Sequence, residues 1–160
     1  MSVVWGALAG GFVGTIVLTT GLRVAQETGR TRMDLPLLLG SAFAASRSTA
    51  VVVGYALHFV NGLLFSLGYA AIFLAVGHEG VLLGAGLGLA HGLLSGGPLV
   101  NVLLPAIHPR MGTPWTDAED TPLLEPPGFL LANYGRDTVV VTLALHILYG
   151  AIVGWFAAGL

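Results

Sequence analysis

Five histidines stand out in a chain that has no lysine, no cysteine and few other groups able to do chemistry. His58, His91 and His146 each lie inside a long uncharged stretch, and His108 follows in His108-Pro109-Arg110. Histidine in an apolar span is expensive and points to function. Neutral imidazole, with its other nitrogen held by an acceptor, is a common ligand for zinc, copper and iron. His58, His91, His146 and His108 are therefore candidate metal ligands, with Asp34 or Glu125 as a carboxylate to complete the set. Residues three and four apart share a helix face, which places Asn61 beside His58, Ser95 beside His91, and Thr142 and Tyr149 beside His146. Thr15 of the first apolar stretch falls in the same layer.

The same polar seam has other readings. His58 and His146 could serve as axial ligands of a non-covalent haem. Titrating histidines could relay protons in proton-coupled or small-solute transport. Histidine, asparagine, threonine and tyrosine could also act as hydrogen-bonding glue between helices, worth about 0.6 kcal/mol per contact. No HExxH spacing favours a metal, and no Ser-His-Asp arrangement, phosphate-binding glycine loop or dinucleotide fingerprint stands in a workable context. Enzyme activity is left open on these grounds. The absence of cysteine removes disulfides, thiolate metal sites, iron–sulfur clusters and cysteine nucleophiles.

These side chains must be positioned by membrane-spanning helices. Of 160 residues, 55% are hydrophobic and 9% charged, and the mean hydropathy is +0.86. Soluble domains carry about 25% charged residues. Uncharged windows cover residues 1–22, 48–78, 80–109 and 138–160. Each exceeds the roughly 20 residues needed to cross a bilayer. The chain thus reads as an all-α polytopic membrane protein, a single transmembrane domain over 1–160 with helices near 3–25, 49–76, 81–104 and 138–158, and cytoplasmic loops at 26–48 and 105–137. The first helix lacks the basic start and small-residue cleavage site of a removable leader. Arg23, Arg30, Arg32 and Arg47 fall in or beside one loop, and Arg110 and Arg136 bound the other. The bias of basic residues toward the cytoplasm puts both loops inside and both termini outside. Trp5 and Trp155 suit the outer interface, and Trp115 and Tyr134 the inner one. Six scattered arginines and a net charge of -2 exclude nucleic acid as a main partner. The expected partners are the lipid bilayer and further membrane protein, including copies of the chain.

Small residues at four-residue spacing let membrane helices approach. Gly84, Gly88, Gly92 and Gly96 form one such stripe, Gly6, Gly10 and Gly14 a second, and Gly150, Gly154 and Ala158 a third. They are expected to make the tight contacts of the bundle, and any left exposed would favour oligomers. Gly96-Gly97-Pro98 is expected to kink the third helix.

Two motifs recur. Ala56-Leu57-His58 with Gly62 matches Ala144-Leu145-His146 with Gly150, and Asp34-Leu35-Pro36-Leu37-Leu38 matches Asp120-Thr121-Pro122-Leu123-Leu124. The aspartate-to-histidine spacing is 24 residues in one copy and 26 in the other. A duplicated helix-loop-helix unit, with a pseudo-twofold axis along the membrane normal, would produce this pattern. Each aspartate with its following proline also suits the start of a short helix.

The order of glycine-rich first helix, Arg32-Met33-Asp34 loop, His58 helix, glycine-striped third helix and His146-Ile147-Leu148-Tyr149-Gly150-Ala151 resembles a group of small, uncharacterised bacterial inner-membrane proteins of the YagU-like type. That resemblance implies a four-span bundle in the inner membrane and carries no established activity or catalytic residues. The centre of the second loop, Glu125-Pro126-Pro127-Gly128, is not part of it.

Overall fold

A computed structural model describes residues 2–111 and 124–159, and those residues form helices and connections with no strand. The long helices are α1 (Val3–Glu27), α3 (Arg47–Val76), α4 (Val81–Leu94) and α6 (Arg136–Ala157). Short α2 (Leu35–Gly40) precedes α3. Beyond α4 the chain continues as a π-helix over Ser95–Leu103 and then as α5 (Leu104–Ile107), so that Val81–Ile107 is one rod. A 3-10 segment, Phe129–Tyr134, leads into α6. Four helices, counting Val81–Ile107 as one, are long and apolar enough to cross a membrane.

Local chemistry explains the boundaries. Ser2 caps α1 by accepting from Trp5 N, and Ser46 caps α3 by accepting from Thr49 N. Asp34 caps α2, accepting from Leu37 N at 3.1 Å, with Pro36 in the first turn where its missing N–H is no loss. Gly77 ends α3 in the left-handed conformation at φ 70°, which lets the chain reverse tightly into α4. The second Asp-x-Pro-Leu-Leu motif, at 120–124, falls outside the described residues except for Leu124, as do Asp117, Glu119 and Trp115.

The helices pack as a row, α3 against α1, α1 against α6, and α6 against α4. Glycine decides how close they come at the end of the bundle that carries the α3–α4 turn and the chain termini. A Cβ on Gly10 would stand 2.8 Å from Val153 Cα, and one on Gly84 or Gly150 would strike the backbone of the other's helix. Ala7, Phe73 and Val153 fill this turn end with almost no exposure. All glycines of the three stripes are buried within the chain, so the stripes offer no surface for self-association. Ala158 departs from the third stripe, because α6 ends at Ala157 and leaves it exposed. Trp5 and Trp155 are both exposed at this turn end.

At the opposite, loop end the two connections clasp one another. Arg32 N donates to Tyr134 O at 2.8 Å, Thr138 Oγ1 donates to Thr31 Oγ1 at 2.7 Å, and Arg32 pairs with Glu125 at 2.8 Å. Tyr134 O–H donates to Glu125 O, and burial together with the Glu125 carboxylate pushes that phenol up to about 12. A twofold repeat of α1–α3 and α4–α6 would match those two pairs, and it would equally match α1–α6 with α3–α4. The last two differ: α1 and α6 pack closely, whereas the backbones of α3 and α4 stand apart.

Candidate functional site

The space between α3 and α4 is an open cleft of about 690 Å³, within the usual size range of small-molecule sites. One wall is the face of α3 that carries His58, Asn61 and Phe65. The facing wall is His91 of α4 with Ser95, Leu99 and Leu103 of the π-helix. The floor comes from Thr15 of α1 and from Thr142, His146 and Tyr149 of α6. Leucines of α2 and α5, with Leu131, line the loop end of the cleft. No Asp, Glu or Arg is among the described residues that line it.

Pro98 shapes the second wall. Its ring cannot accept the regular turn and it donates no backbone bond, so the helix widens there instead of continuing as α. Asn101 adds a side-chain contact to the widened turn: its Nδ2 donates to Gly97 O at 2.9 Å and to Gly96 O at 3.1 Å. The expected kink is thus a nine-residue π-helix. Its wider turns present Ser95, Leu99 and Leu103 to one side.

The histidines are arranged in two different ways. His91 stacks face to face on Phe65, with ring centroids 3.6 Å apart, and meets His146 nearly at right angles at 4.8 Å. Its Nδ1 lies 3.3 Å from the Tyr69 hydroxyl, which bridges α3 and α4 above the cleft. His146 Nδ1 lies 2.8 Å from the Thr142 carbonyl. A carbonyl only accepts, so Nδ1 is the donor there and the neutral ring keeps its lone pair on Nε2. His58 Nε2 and Thr142 Oγ1 are buried without a hydrogen-bond partner among the described residues. Thr142 itself is only 4% exposed. An unpaired buried polar atom is costly, and two on one cleft call for a ligand or ordered water.

Other cleft residues are already engaged. Tyr149 O–H donates to Gly62 O and ties α6 to α3, while its ring covers Gly14. Thr15 Oγ1 donates to Gly11 O of its own helix at 2.7 Å. Asn61 is exposed toward the cleft, and no partner for its amide is found among the described residues. The cleft stops at the layer of Phe65, His91 and Tyr149, beyond which the turn end is closed by the glycine contacts.

Three of the sequence candidates lie elsewhere. His108 is buried at the loop end, where Arg110 N donates to its Nδ1 at 3.1 Å and its Nε2 donates to Leu38 O at 2.9 Å, with Ser41 Oγ at 3.3 Å. Both of its nitrogens are used in fixing α2 to the end of the third rod, so neither is left for a metal. Burial holds the ring below the ordinary histidine value, the Leu38 carbonyl opposes that shift and Arg110 adds to it. Asp34 caps α2 and pairs with Arg47 at 3.2 Å; Glu125 pairs with Arg32. Neither carboxylate reaches the cleft. Among the described residues no group of three or more His, Asp or Glu side chains is gathered to hold a metal ion. The reason is geometric, since His91 and His146 pack as aromatic rings and the acids are spent in ion pairs.

Sequence reasoning missed Phe65, Tyr69 and Asn101. The first two continue the Asn61 face at four-residue steps, so extending that stripe by two turns would have found them. Asn101 stands three residues after Pro98, a spacing that marks no familiar motif. Compared with known proteins, the chain matches no family model, no curated protein and no solved structure.

Proposed function

We propose that this chain is an integral membrane protein, its two long connections on the cytoplasmic side, that binds a lipid-soluble, uncharged small molecule in the cleft between α3 and α4. The carrying observation is the composition of that cleft. Its lining is mainly Leu, with Val, Ile and Phe, its few polar groups are three histidines, Asn61, Ser95, Tyr149 and the two threonines Thr15 and Thr142, and no Asp, Glu or Arg is among the described residues that line it. A ligand bearing a phosphate or carboxylate would bury its charge with no cation to meet it, which is unfavourable by several kcal/mol. A neutral head on an apolar body matches both parts. The YagU-like resemblance supports placement in a bacterial inner membrane and adds nothing about the ligand.

The test is extraction of the detergent-purified protein into organic solvent, with mass spectrometry of what co-purifies. Wild type should carry a neutral lipid enriched over the bulk membrane. Ser95→Trp, which puts an indole into the cleft beside His91, should lose it, and Val140→Trp on the exposed face of α6 should keep it. Bulk phospholipid alone, unchanged in Ser95→Trp, contradicts the proposal.

A second reading is favoured by one observation. His58 and His146 face the same cleft from α3 and α6, and the Thr142 carbonyl holds His146 Nδ1 as a metal-ligating imidazole is held. These two imidazoles could hold a haem, but its two carboxylates would meet no cation among the described cleft residues, which makes this the weaker reading. That reading predicts a haem absorption band and iron in the purified protein, both lost in His58→Ala and His146→Ala. A colourless, iron-free preparation that retains neutral lipid removes it.

A further inference from the structure

Resting on the reading of the cleft as a lipid-ligand site, we infer that the ligand's polar head is a hydroxyl group, which donates its proton to Nε2 of His146. A long-chain or isoprenoid alcohol, or a phenol with an apolar tail, has this chemistry.

The ring proton of His146 is fixed. His146 Nδ1 donates to the Thr142 carbonyl at 2.8 Å on its own helix. The neutral ring then presents Nε2 to the cleft as a pure acceptor. Protonating Nε2 would create an imidazolium with no carboxylate among the described cleft residues to balance it. Whatever meets Nε2 must therefore donate. A ketone, quinone or ether oxygen only accepts and would set lone pair against lone pair. A phosphate or carboxylate lacks a counter-charge here.

A second, independent observation points the same way. Thr142 and His58 line this cleft, and Thr142 Oγ1 and His58 Nε2, buried within those side chains, have no partner among the described residues, so a small turn of either side chain would bring it to a ligand. The threonine hydroxyl can donate as well as accept. A ligand hydroxyl donates one bond and accepts up to two, so one head group can answer an acceptor and a donor at once. An aldehyde or ether of the same size answers the donor only. The apolar remainder of such a ligand has its place along Leu57, Leu99, Val100 and Leu103, on the side where α3 and α4 stand apart.

Three probes with one C15 isoprenoid tail test the inference on the full-length protein in detergent micelles: farnesol, farnesyl methyl ether and farnesoic acid, compared by native mass spectrometry. Farnesol should bind about tenfold more tightly than its methyl ether, the value of one well-made hydrogen bond. His146→Phe should bring alcohol and ether to equal affinity. Because His146 packs against Gly88 and Gly92 and that variant can misfold, 15N-histidine NMR on the unaltered protein gives a second readout. Farnesol should shift the unprotonated Nε2 resonance of His146, and the ether should leave it in place. Equal binding of alcohol and ether overturns the hydroxyl inference while leaving the cleft reading intact. Preference for farnesoic acid, or failure of all three probes to bind, overturns both.

Discussion

At the turn end of the bundle, helices approach wherever a glycine permits: Gly10 lies under Val153, and Gly84 and Gly150 face each other with no room for a Cβ. At the loop end the same helices enclose a cleft of about 690 Å³, with three histidines in its lining and two unpartnered polar atoms buried within lining residues. In the proposed bilayer setting, helices gain little from hydrophobic association with one another, so stability must come from packing and polar contacts. The turn end supplies the packing. That anchor lets α3 and α4 stand apart lower down, bridged by Phe65, Tyr69 and His91 alone where their backbones separate. The closed half is thus the condition for the open one, and the three histidines within the helices all lie on the open side.

Breaking the closed half should have the largest effect. Gly150→Leu drives a side chain into the Gly84 and Gly88 backbone and should lower stability by about 3 kcal/mol or more, the upper range for overpacking. Unfolding in mixed micelles followed by circular dichroism measures it. Next comes the wall of the cleft. Asn101→Leu removes the side-chain donor shared by the Gly96 and Gly97 carbonyls, which keep their π-helical backbone partners, and should cost about 0.5–1.5 kcal/mol. The same variant should weaken farnesol binding, because the π-helix carries Ser95, Leu99 and Leu103.

A pH effect sharpens the distinction between His108 and the cleft histidines. The folded His108 pKa lies below the unfolded value near 6.5, so an unfolded chain takes up a proton that the folded chain refuses. Stability from this group is complete above about pH 6.5 and is lost as pH falls toward the lower folded value. His108→Gln should flatten that part of the stability profile, measured by unfolding between about pH 7 and pH 5. The smallest stability effect belongs to Ser95→Trp. It enters open space and should change unfolding free energy by less than about 1 kcal/mol, while abolishing ligand retention.

Much of this arrangement was legible beforehand, for identifiable reasons. Apolar windows longer than a bilayer is thick define the four long helices without any need of tertiary contacts. Three- and four-residue spacing placed His58 with Asn61 and His146 with Thr142 and Tyr149, because a helix fixes which side chains share a face. It could not say which faces meet. Thr15 and Tyr149 line the cleft, yet the Thr15 hydroxyl bonds back to Gly11 O one turn earlier on its own helix, and the Tyr149 hydroxyl is taken by Gly62 O of α3, a fact of tertiary distance. His108 sits in the chain like a metal ligand and proves to be a tie between Leu38 and the Arg110 amide. Asp34 and Glu125 could be recognised as acids but not as partners of Arg47 and Arg32. The glycine stripes were expected to make the tight contacts of the bundle, and any left exposed to favour oligomers; the packing within one chain uses the glycines up.

The central claim is that the open half holds an uncharged lipid-soluble molecule, and photolabelling tests it most directly. A farnesol analogue with a diazirine on its tail would be irradiated with the protein in nanodiscs, and the attachment sites mapped by peptide mass spectrometry. The account predicts labels concentrated on Leu57–Phe65 and Ser95–Leu104, displaced by excess farnesol and absent in Ser95→Trp. Labels spread evenly over outward faces such as Leu82 and Val140, indifferent to competitor and to Ser95→Trp, would contradict it.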